Sequence, residues 1–123
     1  MLAAPPLRSI RVNNMKSTIT ALPVERDEYG FWTHPKYEEF CDGREYIPTA
    51  EFDEWMQANG MAWGISYLET EPGAEVIRDR YFEIGDLNVS DWNPTPPAGE
   101  GWFVGSIHDT EDGPVCIWLR ESA

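Results

Sequence analysis

Gly101-Trp-Phe-Val-Gly-Ser-Ile-His-Asp-Thr-Glu-Asp-Gly-Pro-Val-Cys-Ile-Trp-Leu-Arg120 is the stretch that decides the fold. Two segments rich in β-branched and aromatic residues flank five residues, 109–113, made only of Asp, Thr, Glu and Gly. The pattern predicts a β-hairpin with an acidic tip and strands at about 101–108 and 114–120. Its apolar arms make it the anchor of a core. It announces a folded domain and carries no catalytic signature.

Upstream of it, residues 91–101 form a Pro/Gly connector, short enough to join elements of one domain and tied down by Trp92. Residues 74–84 place Ile77, Tyr81 and Ile84 at helical spacing while strand alternation fits almost as well, and of the two a short helix is the expectation. Trp63, Ile65 and Tyr67 alternate with smaller residues, which predicts a strand at 62–68. The clearest helix is 49–59. Thr49 is the expected N-cap, early acids suit the helix dipole, and Gly60 suits the left-handed position that ends it. Phe52, Trp55 and Met56 share one stripe of that helix, with Glu51, Glu54 and Ala58 turned outward. Further upstream, a first strand at 17–24 and a short one at 30–33 are expected to pair as a hairpin, stopped by His34-Pro35. A helical turn carrying Tyr37 and Phe40, followed by an irregular loop, is expected over 36–47. The sum is one small α+β domain, an antiparallel sheet with one main helix packed on one face.

Composition sets the limits. The chain has 123 residues, room for one modest core. Its net charge is -13, a value that in aromatic-poor chains signals disorder. Six Trp, five Tyr and five Phe supply the apolar area to fold, so the acidity belongs to the surface of a real domain. Such a surface repels phosphates and excludes direct nucleic-acid binding, while it attracts basic proteins. Solubility alone is the bland alternative. Cys41 and Cys116 lack metal-ligand spacing, and Cys116 reads as a small buried hydrophobe. No secretory signal pattern or bilayer-length apolar run is visible, so free thiols and a cytoplasmic location in a bacterial cell are expected, without membrane association.

Residues 1–14, MLAAPPLRSIRVNN, differ from the rest in carrying Arg8 and Arg11 and no acids. They read as a poorly ordered extension, with Met15 as an alternative start and 15–123 as the acidic domain. Without them, seven basic residues face 22 acids.

Few residues invite chemistry. His108, Asp109, Glu111 and Asp112 offer an imidazole and carboxylates to a metal, although their spacing matches neither a Ca²⁺ loop nor a metalloprotease helix. Ser106 and His108 share a strand face but lack a nucleophile elbow or oxyanion-hole motif. His34 has no neighbouring nucleophile, and no glycine-rich phosphate loop opens a helix. No catalytic residue and no cofactor is expected.

Three blocks carry a resemblance: Arg26-Asp-Glu-Tyr-Gly-Phe-Trp-Thr-His-Pro35, Phe52-Asp-Glu-Trp-Met56, and the run from Trp92 through Gly-Glu-Gly-Trp-Phe to His-Asp-Thr-Glu-Asp-Gly-Pro-Val-Cys. In these the chain resembles small uncharacterised accessory proteins of enterobacterial phages and prophages, from about Met15 onward. The resemblance implies a setting and no activity. Joined to the charge, it leads to a non-enzymatic protein that binds and inhibits a host protein. A nucleic-acid-handling or defence component with a basic surface is the natural target, in the manner of an anti-CRISPR or anti-restriction factor. A DNA mimic would need carboxylates in rows on one face, since duplex DNA presents a charge about every 1.7 Å. Glu51, Glu54, Trp92, Asp109, Glu111 and Asp112 are the expected contact residues. Lys36, Arg44, Arg78 and Arg80 would interrupt an even array. Two other classes compete. One is a small metal-binding enzyme or regulator using the His108 loop. The other is a structural module that self-associates through a strand edge of the C-terminal hairpin. As a binder of a host protein the chain is expected to be a monomer or a weak homodimer.

Overall fold

The computed structural model describes residues 19–122, so the N-terminal extension and Met15 lie outside the described residues. In chain order the elements are β1 (Trp32–Thr33), α1 (Pro35–Cys41), α2 (Thr49–Ala58), β2 (Met61–Tyr67) and a 3₁₀ turn (Leu68–Thr70). They continue with α3 (Glu75–Asp79), which widens into a π turn (Arg80–Ile84), then β3 (Phe103–Thr110) and β4 (Gly113–Glu121). The strands form one antiparallel sheet in the order β1-β3-β4-β2. The α+β class read from the sequence is the class observed.

The C-terminal hairpin is the centre of the sheet. β4 lies between β3 and β2, and every residue from Gly113 to Leu119 is buried. A strand covered on both faces reads as a continuous apolar run, which is why Val115 to Leu119 does not alternate. The turn is tighter than the five residues expected, because pairing runs out to Thr110 and Gly113. The Thr110 hydroxyl accepts from the Asp112 N–H (3.1 Å) and donates to the Gly113 carbonyl (2.8 Å), bracing the tip. Gly113 supplies the left-handed residue, at φ 95°.

A bulge at Gly105 shifts the register, so Phe103 faces Leu119 and Ser106 faces Ile117. A side chain at 105 would meet the Leu119 Cγ at 2.8 Å, which leaves room only for glycine. Beyond the bulge, alternation sends Ser106 and His108 to one face and Ile107 and Asp109 to the other.

Two apolar clusters follow. On one face α1 and α2 cover Ile117, Leu119 and Met61 with Phe52 and Met56, and Ile19 joins them. α1 starts with Pro35 in its first turn behind a His34 cap, whose Nδ1 accepts from the Lys36 N–H (3.1 Å). α2 has the expected extent, with one correction. Pro48, not Thr49, occupies the cap position and makes no side-chain cap bond, its extended backbone setting the entry into the helix. Phe52 and Met56 are buried as expected, whereas Trp55 is half-buried and stacks on Phe40 at 4.3 Å.

The other face is covered too, beyond the single helix layer foreseen. Leu68, Val89, Trp92, Ile107, Cys116 and Trp118 pack there beneath α3 and the connector. Trp92 is 1% exposed and donates its indole N–H to Glu71 Oε1 (2.9 Å), the same carboxylate that accepts from the N–H and hydroxyl of Thr95. Arg26 adds a second brace by donating to the carbonyls of Gly30, Trp92 and Val89 at 2.7–2.8 Å.

The strand expected at 17–24 is not formed over its described part. Pro23 has no N–H to give a ladder, and Leu22 and Val24 stay about 40% exposed. Of residues 19–24 Ile19 is the one that is buried, and the His34 imidazole, itself buried, donates from Nε2 to the Thr20 carbonyl (2.7 Å). β1 therefore pairs with β3 rather than with an upstream partner.

Candidate functional site

The sheet register places one residue of each strand in a single row on the helix-covered face: Thr33, Ser106, Ile117 and Ile65. At the β1–β3 end this row is polar. Thr33 Oγ1 and Ser106 Oγ lie 2.8 Å apart, and Ser106 Oγ lies 2.8 Å from His108 Nδ1. The chain of three groups floors a cavity of about 470 Å³, walled by Tyr37, Cys41, Arg44, Tyr46 and Ile47. Burial holds the His108 imidazole below its ordinary pKa, and the nearby Asp109 charge only partly offsets this. Burial thus favours the neutral ring.

The cavity opens toward the hairpin tip, where Glu45, Tyr46 and His108 also line a shallower recess with Glu111 and Asp112. Toward the opposite edge Tyr37 and Ile47 lead into an apolar recess of about 160 Å³ against Phe52, Trp63, Ile65 and Ile117. The central cavity shares Glu45, Tyr46 and His108 with the tip recess and Tyr37 and Ile47 with the apolar one, so the three adjoin in a row, a segmented trough across the sheet. One end is acidic and the other apolar.

The expected contact residues divide sharply. Glu54, Glu111 and Asp112 are exposed. Glu51 is committed to Arg44 at 2.6 Å. Trp92 is buried, so it staples the connector and is not a surface anchor. Asp109 points to the opposite face from His108, where it accepts from the Tyr81 hydroxyl (2.6 Å) and, through its other oxygen, from the Thr110 N–H. Burial, and after it this contact, raise the pKa of the Tyr81 hydroxyl to about 12. The His108 loop thus does not converge on a metal: strand alternation separates its first two members, and among the described residues no group of three His, Cys, Asp or Glu is placed to hold one. Ser106 and His108 do meet, but Ser106 is 1% exposed and no carboxylate among the described residues orients the imidazole.

Glu38, Glu45, Tyr46 and Ile47 also line the site and are absent from the residues expected on sequence, lying in or beside the irregular loop that follows α1. The signal was present in Arg44-Glu-Tyr-Ile-Pro48, where an aromatic and an aliphatic residue stand between charges and a proline. Tyr46 is 77% exposed, an unusual state for so large a side chain.

Both cysteines are free thiols, and burial pushes the Cys116 thiol up to about 12. β1 pairs only with Ser106 and Ile107 of β3, so the rest of the hairpin's β3 edge has no ladder partner among the described residues, and β2 forms the other edge of the sheet. No helix among the described residues is long and apolar enough to cross a membrane. Compared with known proteins, the chain matches no family model, no curated protein and no solved structure.

Proposed function

We propose that this chain is a non-enzymatic accessory protein, of the phage or prophage kind it resembles, that binds and inhibits a basic host protein through its acidic surface. The observation that carries the reading is how the chain spends its cations. Arg8, Arg11 and Lys16 lie outside the described residues, and five of the other six basic residues are engaged internally. Arg26 holds three carbonyls, Arg44 pairs with Glu51, and Arg78 donates to the Glu71 carbonyl. Arg80 pairs with Asp91, and Arg120 lies over the Trp102 ring at 4.3 Å. Among the described residues only Lys36 has no such partner, so most exposed carboxylates keep their full field.

Those carboxylates stand on both layers: Glu38, Glu45 and Glu54 on one, Asp79 and Glu83 on the other, with Glu111 and Asp112 at the tip between them. Such a spread favours ordinary recognition of a basic protein over imitation of a duplex. The test is capture from a nuclease-treated enteric bacterial lysate, followed by affinity measurement with the purified partner. Changing Glu38, Glu45, Glu54, Glu111 and Asp112 to their amides should weaken binding tenfold or more at ~50 mM salt and less at ~300 mM, where screening is stronger. Equal affinity of parent and variant at low salt overturns the reading.

A further inference from the structure

The acidic-surface reading leaves open what the partner presents, and the trough answers it. Resting on that reading, we infer that the trough receives an extended segment of the partner in which a Lys or Arg and a large apolar residue stand three or four positions apart. His108 on β3 and Ile65 on β2 are two strands apart and one same-face position out of register. With strands about 4.8 Å apart and same-face neighbours about 6.8 Å apart, the diagonal is roughly 12 Å. An extended chain advances about 3.4 Å per residue, so three or four steps span it.

Chemistry then assigns the ends. At the His108 end the mouth carries Glu38, Glu45, Glu111 and Asp112, with Tyr46 standing free beside them. Unneutralised carboxylates around an exposed aromatic face suit a guanidinium or ammonium group, which gains both ion pairing and contact with the ring. The one cation in the wall, Arg44, is already held by Glu51 and by the carbonyls of Phe40 and Cys41. It neither fills the acidic end nor neutralises it.

At the other end Ile47, Phe52, Trp63 and Ile65 offer a recess sized for one aliphatic or aromatic side chain. The Trp63 indole N–H is already spent on Asp53 (2.9 Å), so that end presents no free donor. Beside the acidic end the Thr33 and His108 side chains border the cavity, with the Ser106 hydroxyl buried between them. A nucleic acid fails at the acidic end, and a uniformly basic peptide leaves the apolar recess unfilled.

The test is selection from a library of capped nonapeptides with Arg fixed at the centre and the other eight positions randomised. The bait is the immobilised full chain. The expected profile is enrichment of Leu, Ile, Phe or Met three or four positions to one side of the Arg, with Asp and Glu depleted beside it. Tyr46→Ala combined with Ile65→Thr should abolish that profile, and amide shifts on adding the selected peptide should centre on Tyr46, Ile47, Ile65 and His108. Tyr46→Ala alone, at an exposed position, should keep the parent melting temperature while weakening peptide binding. A flat profile, or the same profile with the double variant, overturns the trough. If it falls while charge neutralisation still releases the captured partner, the acidic-surface reading stands. If the peptides bind as expected but the partner ignores charge neutralisation, that reading fails and the trough remains.

Discussion

The two faces of the sheet are covered by different means. On the β1–α1–α2 side the cover is regular helix, and its hold is apolar contact from Phe52, Met56 and the Phe40–Trp55 stack. On the other side a five-residue helix, a π turn and a long irregular connector do the covering. Irregular backbone cannot satisfy itself, so that layer needs buried polar braces: Glu71 beneath Trp92 and Thr95, and Arg26 beneath three carbonyls. Helical cover tolerates gaps, and the trough is such a gap. Irregular cover tolerates none at its braces, and it is the side where single changes should do most harm.

The largest effect is expected at Trp92. Replacement by alanine should cost about 3–5 kcal/mol, read by urea unfolding, because the ring is wholly buried under the connector. Glu71→Ala should follow at about 2–3 kcal/mol, since it strands the indole N–H and the Thr95 N–H without an acceptor. Trp55→Ala belongs to the helical layer and should cost only about 1–3 kcal/mol, being half-buried and held mainly by its stack on Phe40. Equal losses at Trp55 and Trp92 would erase the contrast between the layers.

A subtler probe is acid. The folded pKa of His108 lies below the ordinary 6.5, so between those two values the unfolded chain binds more protons than the folded one. Its contribution is therefore lost as pH falls below about 6.5 and restored as pH rises. Unfolding curves at pH 7.5 and 5 should show the parent losing more stability than His108→Gln, and an identical loss would contradict burial of the ring. Smallest of all, Glu54→Gln should change stability by less than about 0.5 kcal/mol, and Glu51→Gln by less than about 1 kcal/mol on losing its exposed pair with Arg44. A larger change at Glu54 would mean that the helical layer leans on its surface charges.

Legibility in the sequence follows the same divide. α2, β2 and the hairpin could be read because local pattern dominates there: a stripe at helical spacing, alternation, and apolar arms around a polar turn. The covering of the second face could not, because it rests on contacts between Glu71, Trp92 and Arg26, which are distant in the chain and leave no periodic trace. Residues 19–24 carry the β-branched composition of a strand, but Pro23 lacks the N–H a ladder needs. Of the site, the shared face of Ser106 and His108 was readable from their spacing. The same alternation already forbade pairing His108 with Asp109. The trough's roof, with Tyr46 and Ile47, comes from a loop that a helix-and-strand reading passes over.

The position of β4 has a consequence for how the chain comes into being. β1 and β2 appear early during synthesis, yet they occupy opposite edges and have no ladder to share. Each must wait for β3 and β4, which lie later in chain order and fill the middle. Pairing is thus dominated by distant partners, a topology that folds slowly for its size. Until the middle arrives, Trp32, Trp63 and the apolar stripe of α2 have no sheet to cover and are open to other chains in the cell. For that interval a net charge of -13 opposes the approach of one unfinished copy to another, since like charges repel.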